Sequence, residues 1–154
     1  MKKFCIHKFG PIEDVSVDFG DLTILVGPQA SGKSIMLETL KLAVNRNNII
    51  DNLDRYNYII GHNIDKILNV YYGEGMSNIW KNDTRIDLDG QPFLMKNLPK
   101  KSYSQDELLF YIPAQRIMSI SDGRPKNFME FDSSSPYILR SFSETLRLFM
   151  QHGL

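Results

Sequence analysis

Residues 27–34 read Gly-Pro-Gln-Ala-Ser-Gly-Lys-Ser, which matches the phosphate-binding pattern G-x-x-x-x-G-K-[ST] in full. Each position has a chemical task. Gly27 and Gly32 let the backbone bend round an anion without a Cβ in the way. Successive N–H groups, from Gly27, Pro28, Gln29, Ala30 and Ser31 into Ser34 and Ile35, can then converge on phosphate oxygens, although Pro28 itself donates none. Lys33 should reach the β- and γ-phosphates, and the Ser34 hydroxyl should ligate Mg²⁺. The expected ligand is ATP with Mg²⁺. A chance match in a glycine-containing turn is the bland alternative, and the flanking elements argue against it.

Those elements must supply a strand before the loop and a helix after it. Leu22-Thr23-Ile24-Leu25-Val26 is a near-continuous run of β-formers, as in a central strand covered on both faces. Residues 33–45 carry Met36, Leu40, Ala43 and Val44 on one side, with Leu37 close by, and read as a helix. Upstream, residues 3–9 read as a strand with mixed faces. Phe9-Gly10-Pro11 turns the chain, and Val15, Val17 and Phe19 alternate with polar residues. Together these make an antiparallel hairpin or short meander. Residues 45–63 are polar and Asn-rich, a long connection with or without a short helix. Residues 67–72 read as a strand. Residues 77–81 and 84–88 read as a hairpin about Asn82-Asp83. Leu108 to Ile112 is a second buried-type strand, stopped by Pro113. Residues 119–135 are loop-like. Ser135-Pro136 then starts a helix with Leu139, Phe142, Leu146 and Phe149 along one face.

The order of these elements, with an antiparallel ribbon ahead of the phosphate loop, resembles lobe I of ABC-type ATPases. Residues 4–12 and 13–34 are similar to the opening of the SMC/RecF/OLD-type ATPases, and Phe110-Tyr-Ile-Pro-Ala-Gln-Arg116 is similar to a segment of the AAA_15-like members of that group. The resemblance implies an α/β fold, a P-loop NTPase core with an antiparallel β-layer beside the strand–P-loop–helix unit. Residues 1–135 would be the nucleotide-binding lobe, and residues 136–154 an amphipathic helix leading toward a missing C-terminal half. It implies a Q-loop role for Gln115, which would contact Mg²⁺ and the attacking water; a surface-loop glutamine is the alternative. Arg116 would meet phosphate or a partner.

No acid follows an apolar run as a Walker B element requires. Asp106-Glu107 precede the run 108–112, and Glu130 and Asp132 follow only Phe128-Met129. No Leu-Ser-Gly-Gly signature is present either, and Ser119 to Gly123 is a poor echo of one. In the resembled group these elements lie in a second lobe. The chain is therefore expected to be a fragment or one piece of a split protein, binding nucleotide more readily than hydrolysing it. A homodimer in the full protein, coupled to DNA work or to anti-phage defence with an effector, is what the resemblance implies. The competing readings are a small P-loop kinase and a non-hydrolysing nucleotide sensor. Against the kinase, residues 45–105 hold only Arg46, Arg55 and Arg85, widely spaced, where a lid would need several.

Composition narrows the setting. Apolar residues make up 42% and charged residues 23%, which is globular rather than disordered. Net charge is zero, so the chain as a whole is no polyanion binder, though Lys96, Lys100 and Lys101 leave a local basic face open. Cys5 is the single cysteine, which suits a reducing cytosol. His7, His62 and His152 are too scattered for a zinc site. No apolar run approaches the ~20 residues of a membrane span.

Overall fold

The computed structural model describes residues 1–58, 63–97 and 106–152. Lys100, Lys101 and His62 lie outside them. Strands β1 (Lys3–Phe9) and β2 (Ile12–Asp18) form the expected antiparallel hairpin, with Cys5 opposite Ser16 and Ile6 opposite Val15. The mixed faces of β1 have a local cause. Phe4 and Ile6 point into the core, a bulge follows, and Phe9 rather than Lys8 is the next buried residue. Lys8 takes φ 49° there, and its carbonyl accepts from the Thr84 hydroxyl.

The other side of β1 pairs with β3 (Trp80–Leu88), and β4 (Gln91–Pro92) completes an antiparallel sheet of order β2-β1-β3-β4. The hairpin expected about Asn82-Asp83 does not form. Trp80 pairs with Phe9 and Arg85 with His7, so five steps along β3 face two along β1. Asn82 and Asp83 sit in the surplus as an exposed irregularity of one strand, with Asp83 held by the Lys8 ammonium at 2.8 Å.

Helix α1 (Lys33–Val44) follows the P-loop as expected, and α2 (Arg46–Arg55) occupies the Asn-rich connection. Residues 67–72 correct a strand expectation: they belong to helix α3 (Ile64–Tyr72). Ile67, Leu68, Tyr71 and Tyr72 share its buried face, a 3–4 spacing, and the Asn63 side chain accepts from Lys66 N at 3.0 Å as the N-cap. A six-residue apolar run fits either period, and packing on α1 and α4 selects the helix.

A small hairpin, β5 (Ile120–Ser121) and β6 (Arg124–Pro125), turns at Asp122-Gly123, and α4 (Tyr137–His152) ends the described chain. Helix α4 packs down on α3, on β6 and on the one-turn 3₁₀ segments 116–119 and 128–130. Tyr137, Ile138 and Leu139 are buried, while Phe149 and Met150 at its far end are exposed. The core joins this helix to the hairpin through aromatic contacts: Tyr71 stacks on Tyr137 at 5.6 Å, Tyr72 meets Phe9 edge-on at 5.8 Å, and Tyr56 stacks on Phe128 at 4.0 Å.

The two runs expected as buried central strands are a second correction. Residues 22–26 and 108–112 are irregular, with bends at Leu22 and Leu109, and join no sheet among the described residues. Leu22, Ile24 and Val26 are 81%, 72% and 87% exposed, and Leu108 and Ile112 are 72% and 60% exposed. Alternate residues face inward: Leu25, Leu109 and Tyr111 pack against the core. Residues 108–112 alternate between exposed and half-buried as a strand does, residues 22–26 keep only Leu25 inward, and neither run has a ladder partner among the described residues.

Candidate functional site

The P-loop leads straight into α1, whose first-turn N–H groups have no side-chain cap at Gly32. They are free to serve an anion, and the helix dipole adds positive potential at the same end. Ala30 (φ 61°) and Gly32 (φ 90°) both take left-handed backbone, which curls the loop back over the helix terminus. At Gly32 this geometry is forced from outside. The hairpin turn presses so close that a Cβ there would lie 2.6 Å from Ile12 Cγ1 and 3.3 Å from Pro11 Cγ. The β-layer therefore shapes the loop from below.

Lys33 lies inside the ring it would complete. Its ammonium donates to the carbonyls of Gly27 (2.9 Å) and Pro28 (2.5 Å) and to Ser31 Oγ (3.1 Å). These contacts place the charge at the centre of the loop. A phosphate oxygen would take one of these hydrogens. Ser34 is exposed beside it, and Ile35 is half-buried, its Cδ1 near Gly10 in the hairpin turn. Gln29 is exposed on the outer side of the loop.

Two clefts flank the loop. One, of about 310 Å³, is lined by Pro11, Ile12, Val15, Leu25, Gly32, Lys33 and Met36; the other, of about 320 Å³, by Pro11 and residues 30–35. They share Pro11, Ser31, Gly32 and Lys33. A larger groove of about 940 Å³ lies between the β5–β6 hairpin and the end of α4, and no P-loop residue lines it. Size favours that groove, but converging donors favour the P-loop, and donors decide phosphate binding.

The donor set fits ATP with Mg²⁺. Among the described residues no cluster of three His, Cys, Asp or Glu could hold a metal alone. A phosphate-bound Mg²⁺ needs fewer protein ligands, since it keeps waters and takes its remaining oxygens from phosphates and one or two side chains. The exposed Ser34 hydroxyl would offer such an oxygen. Gln115 is exposed just before the 3₁₀ segment 116–119 and lines neither cleft at the P-loop, so the structure does not bring it to the phosphate site. Arg116 is exposed beside it.

Sequence reading missed two polar residues on α1, Glu38 and Lys41, and a third at its C-cap, Asn45. Glu38 is partly buried, and burial pushes its carboxyl up to about 7, against the opposing pull of the Tyr111 hydroxyl. Lys41 and Asn45 are each only 3% exposed. Their signal was a polar stripe at positions 38, 41 and 45 of a helix following a P-loop, a spacing that puts all three on one face.

Residues 1–144 match the family described as the AAA ATPase domain (AAA_15). The chain belongs to that family, as the segments 4–34 and 110–116 led us to expect, and the family is one of nucleotide-binding ATPase domains. Neither the curated proteins nor the solved structures contain a match to it. No helix among the described residues is long and apolar enough to cross a membrane.

Proposed function

We propose that this chain binds Mg-ATP through residues 27–35 and acts as the nucleotide-binding lobe of an ABC/RecF-like ATPase. The observation that carries the reading is the position of Lys33: its ammonium sits among the carbonyls of Gly27 and Pro28 and the Ser31 hydroxyl, at the uncapped N-terminus of α1. Backbone N–H groups and the helix terminus would hold the phosphates, Lys33 would neutralise them, and Ser34 would contribute a ligand to Mg²⁺. Bound there, Mg²⁺ would draw charge from the β- and γ-phosphates. The cleft against Pro11 and Ile12 leaves room for the rest of the nucleotide.

The outward faces of residues 22–26 and 108–112 support a second part of the reading. A water-facing row of large apolar side chains outside any sheet of the described residues is a surface that needs cover. A further lobe, carrying the Walker B acid and the signature motif absent from these 154 residues, would pair with it. For Gln115 to act there as the Q-loop residue, that pairing would have to carry its loop to the phosphate site. In this reading the whole protein pairs with a second copy when ATP binds, in the cytosol, and couples that step to DNA or to an effector in anti-phage defence. A non-hydrolysing nucleotide sensor is the second reading, favoured by the lack of an acid after any apolar run.

Calorimetry with Mg-ATP and Mg-ADP tests the binding site. The chain should bind both, and Lys33→Ala should weaken binding at least about tenfold, the equivalent of roughly 1.4 kcal/mol. Equal affinity in the two proteins would remove the P-loop as the site.

A further inference from the structure

Helix α1 is polar along one side at a depth where a helix should be apolar. Glu38 and Lys41 on the helix and Asn45 at its C-cap all reach the run 107–111, and each meets it differently. Asn45 Oδ1 accepts from the backbone N–H groups of Leu108 (3.2 Å) and Leu109 (3.1 Å), while its Nδ2 donates to the Leu109 carbonyl at 2.8 Å. One side-chain amide thus does for this run what the peptide of a neighbouring strand would do. Lys41 Nζ donates to the same Leu109 carbonyl at 3.1 Å and pairs with the Glu107 carboxylate. Glu38 hydrogen-bonds the Tyr111 hydroxyl one turn closer to the P-loop.

These contacts carry more than stability. No backbone–backbone hydrogen bond ties 107–111 to another described segment, so α1 side chains are its polar anchors. Burying Lys41 and Asn45 would be costly without these partners. Helix α1 begins at the phosphate loop, and the anchored run ends four residues before Gln115. A rigid helix with the phosphate site at one end and this clamp along its side joins the two mechanically.

We propose that Lys41 and Asn45 are positioning residues that fasten the 107–111 run to the P-loop helix, so that phosphate binding at the head of α1 is transmitted to the loop bearing Gln115. The inference rests on the phosphate-binding reading above and adds to it a route by which that site governs a distant loop. The pair acts through contacts to Glu107, Leu108 and Leu109 and lines neither cleft at the P-loop.

Hydrogen–deuterium exchange on the whole chain tests it, with and without Mg-ADP, in the wild type and in Asn45→Leu. In the wild type, Mg-ADP should slow exchange both in residues 27–35 and in residues 108–116. In Asn45→Leu, exchange at 108–109 without nucleotide should rise by about tenfold, since both N–H groups lose their acceptor. The P-loop should keep its protection and its affinity within about threefold, while residues 108–116 no longer respond to Mg-ADP. A purely structural Asn45 would not separate the two responses. If 108–116 responds as fully in the variant as in the wild type, the coupling is wrong. If in the wild type the P-loop is protected and 108–116 is not, the coupling is again wrong and the phosphate site stands. If the P-loop itself does not respond, the binding reading fails and the coupling falls with it. Should Asn45→Leu lose the slow exchange of β1, Lys41→Met replaces it; it removes one donor to Leu109 and keeps the stem, and the same decoupling is expected.

Discussion

Gly32 and Ile12 are packed so closely that the P-loop has no room for any other residue at its second glycine. A Cβ on Gly32 would fall 2.6 Å from Ile12 Cγ1, and the backbone there has φ 90°. Gly32→Ala should therefore destabilise the chain by about 1–3 kcal/mol, combining left-handed strain with overpacking. Thermal unfolding measures this. Ile12 makes the closest approach and Pro11 a lesser one at 3.3 Å, so Ile12→Ala should cost less in the Gly32→Ala background than in the wild type. Strictly additive losses would show that the contact with Ile12 is not the cause.

Glu38 makes stability fall with rising pH. Burial raises its folded-state pKa to about 7 from the ordinary 4.5, so between those values the folded chain holds a proton that the unfolded chain releases. The stabilisation is fully present below about pH 4.5 and is lost as pH rises through about 7, a loss on the order of 3 kcal/mol. Denaturant unfolding at pH 5 to 8 should show this slope, and Glu38→Gln should flatten it. An unchanged slope in the variant would assign it to another group.

Arg140 is a buried cation that closes the entry to α4. Its guanidinium donates to the carbonyls of Ser135 (2.9 Å) and Asp132 (2.6 Å) and to the Tyr58 hydroxyl, and lies over the Tyr58 ring, 5.4 Å from the centroid. Arg140→Met keeps the stem and strips the donors. A loss of roughly 2–4 kcal/mol is expected in urea unfolding, since two carbonyls and a hydroxyl lose their partner. A loss below about 0.5 kcal/mol would mean that water replaces the guanidinium freely.

Hydrolysis should be negligible in this chain alone. In the proposed site Ser34 would offer its hydroxyl to Mg²⁺, but the sequence holds no acid after an apolar run to orient the ion or the attacking water. Steady-state phosphate release should match that of Lys33→Ala. Robust release abolished by that substitution would mean that an acid of this chain completes the site and would favour the complete-NTPase or kinase reading.

The parts legible in the sequence are those whose physics is local. The P-loop announces itself because glycines, lysine and serine act within eight residues, and the β1–β2 hairpin because Gly10-Pro11 turns two strands that pair at once. Helices α1 and α4 follow from apolar spacing over more than two turns. The rest was decided by contacts far apart in the chain. Residues 67–72 became a helix because α1 and α4 offered a surface for a 3–4 face, while Asn82-Asp83 lay in a strand because β1 continued past them. Residues 22–26 and 108–112 are apolar runs of strand-forming residues, yet a strand exists only where another backbone pairs with it, and none of the described segments does. Lys41 and Asn45 read as ordinary polar helix residues, and only the tertiary structure, by laying Leu109 along α1, turned them inward.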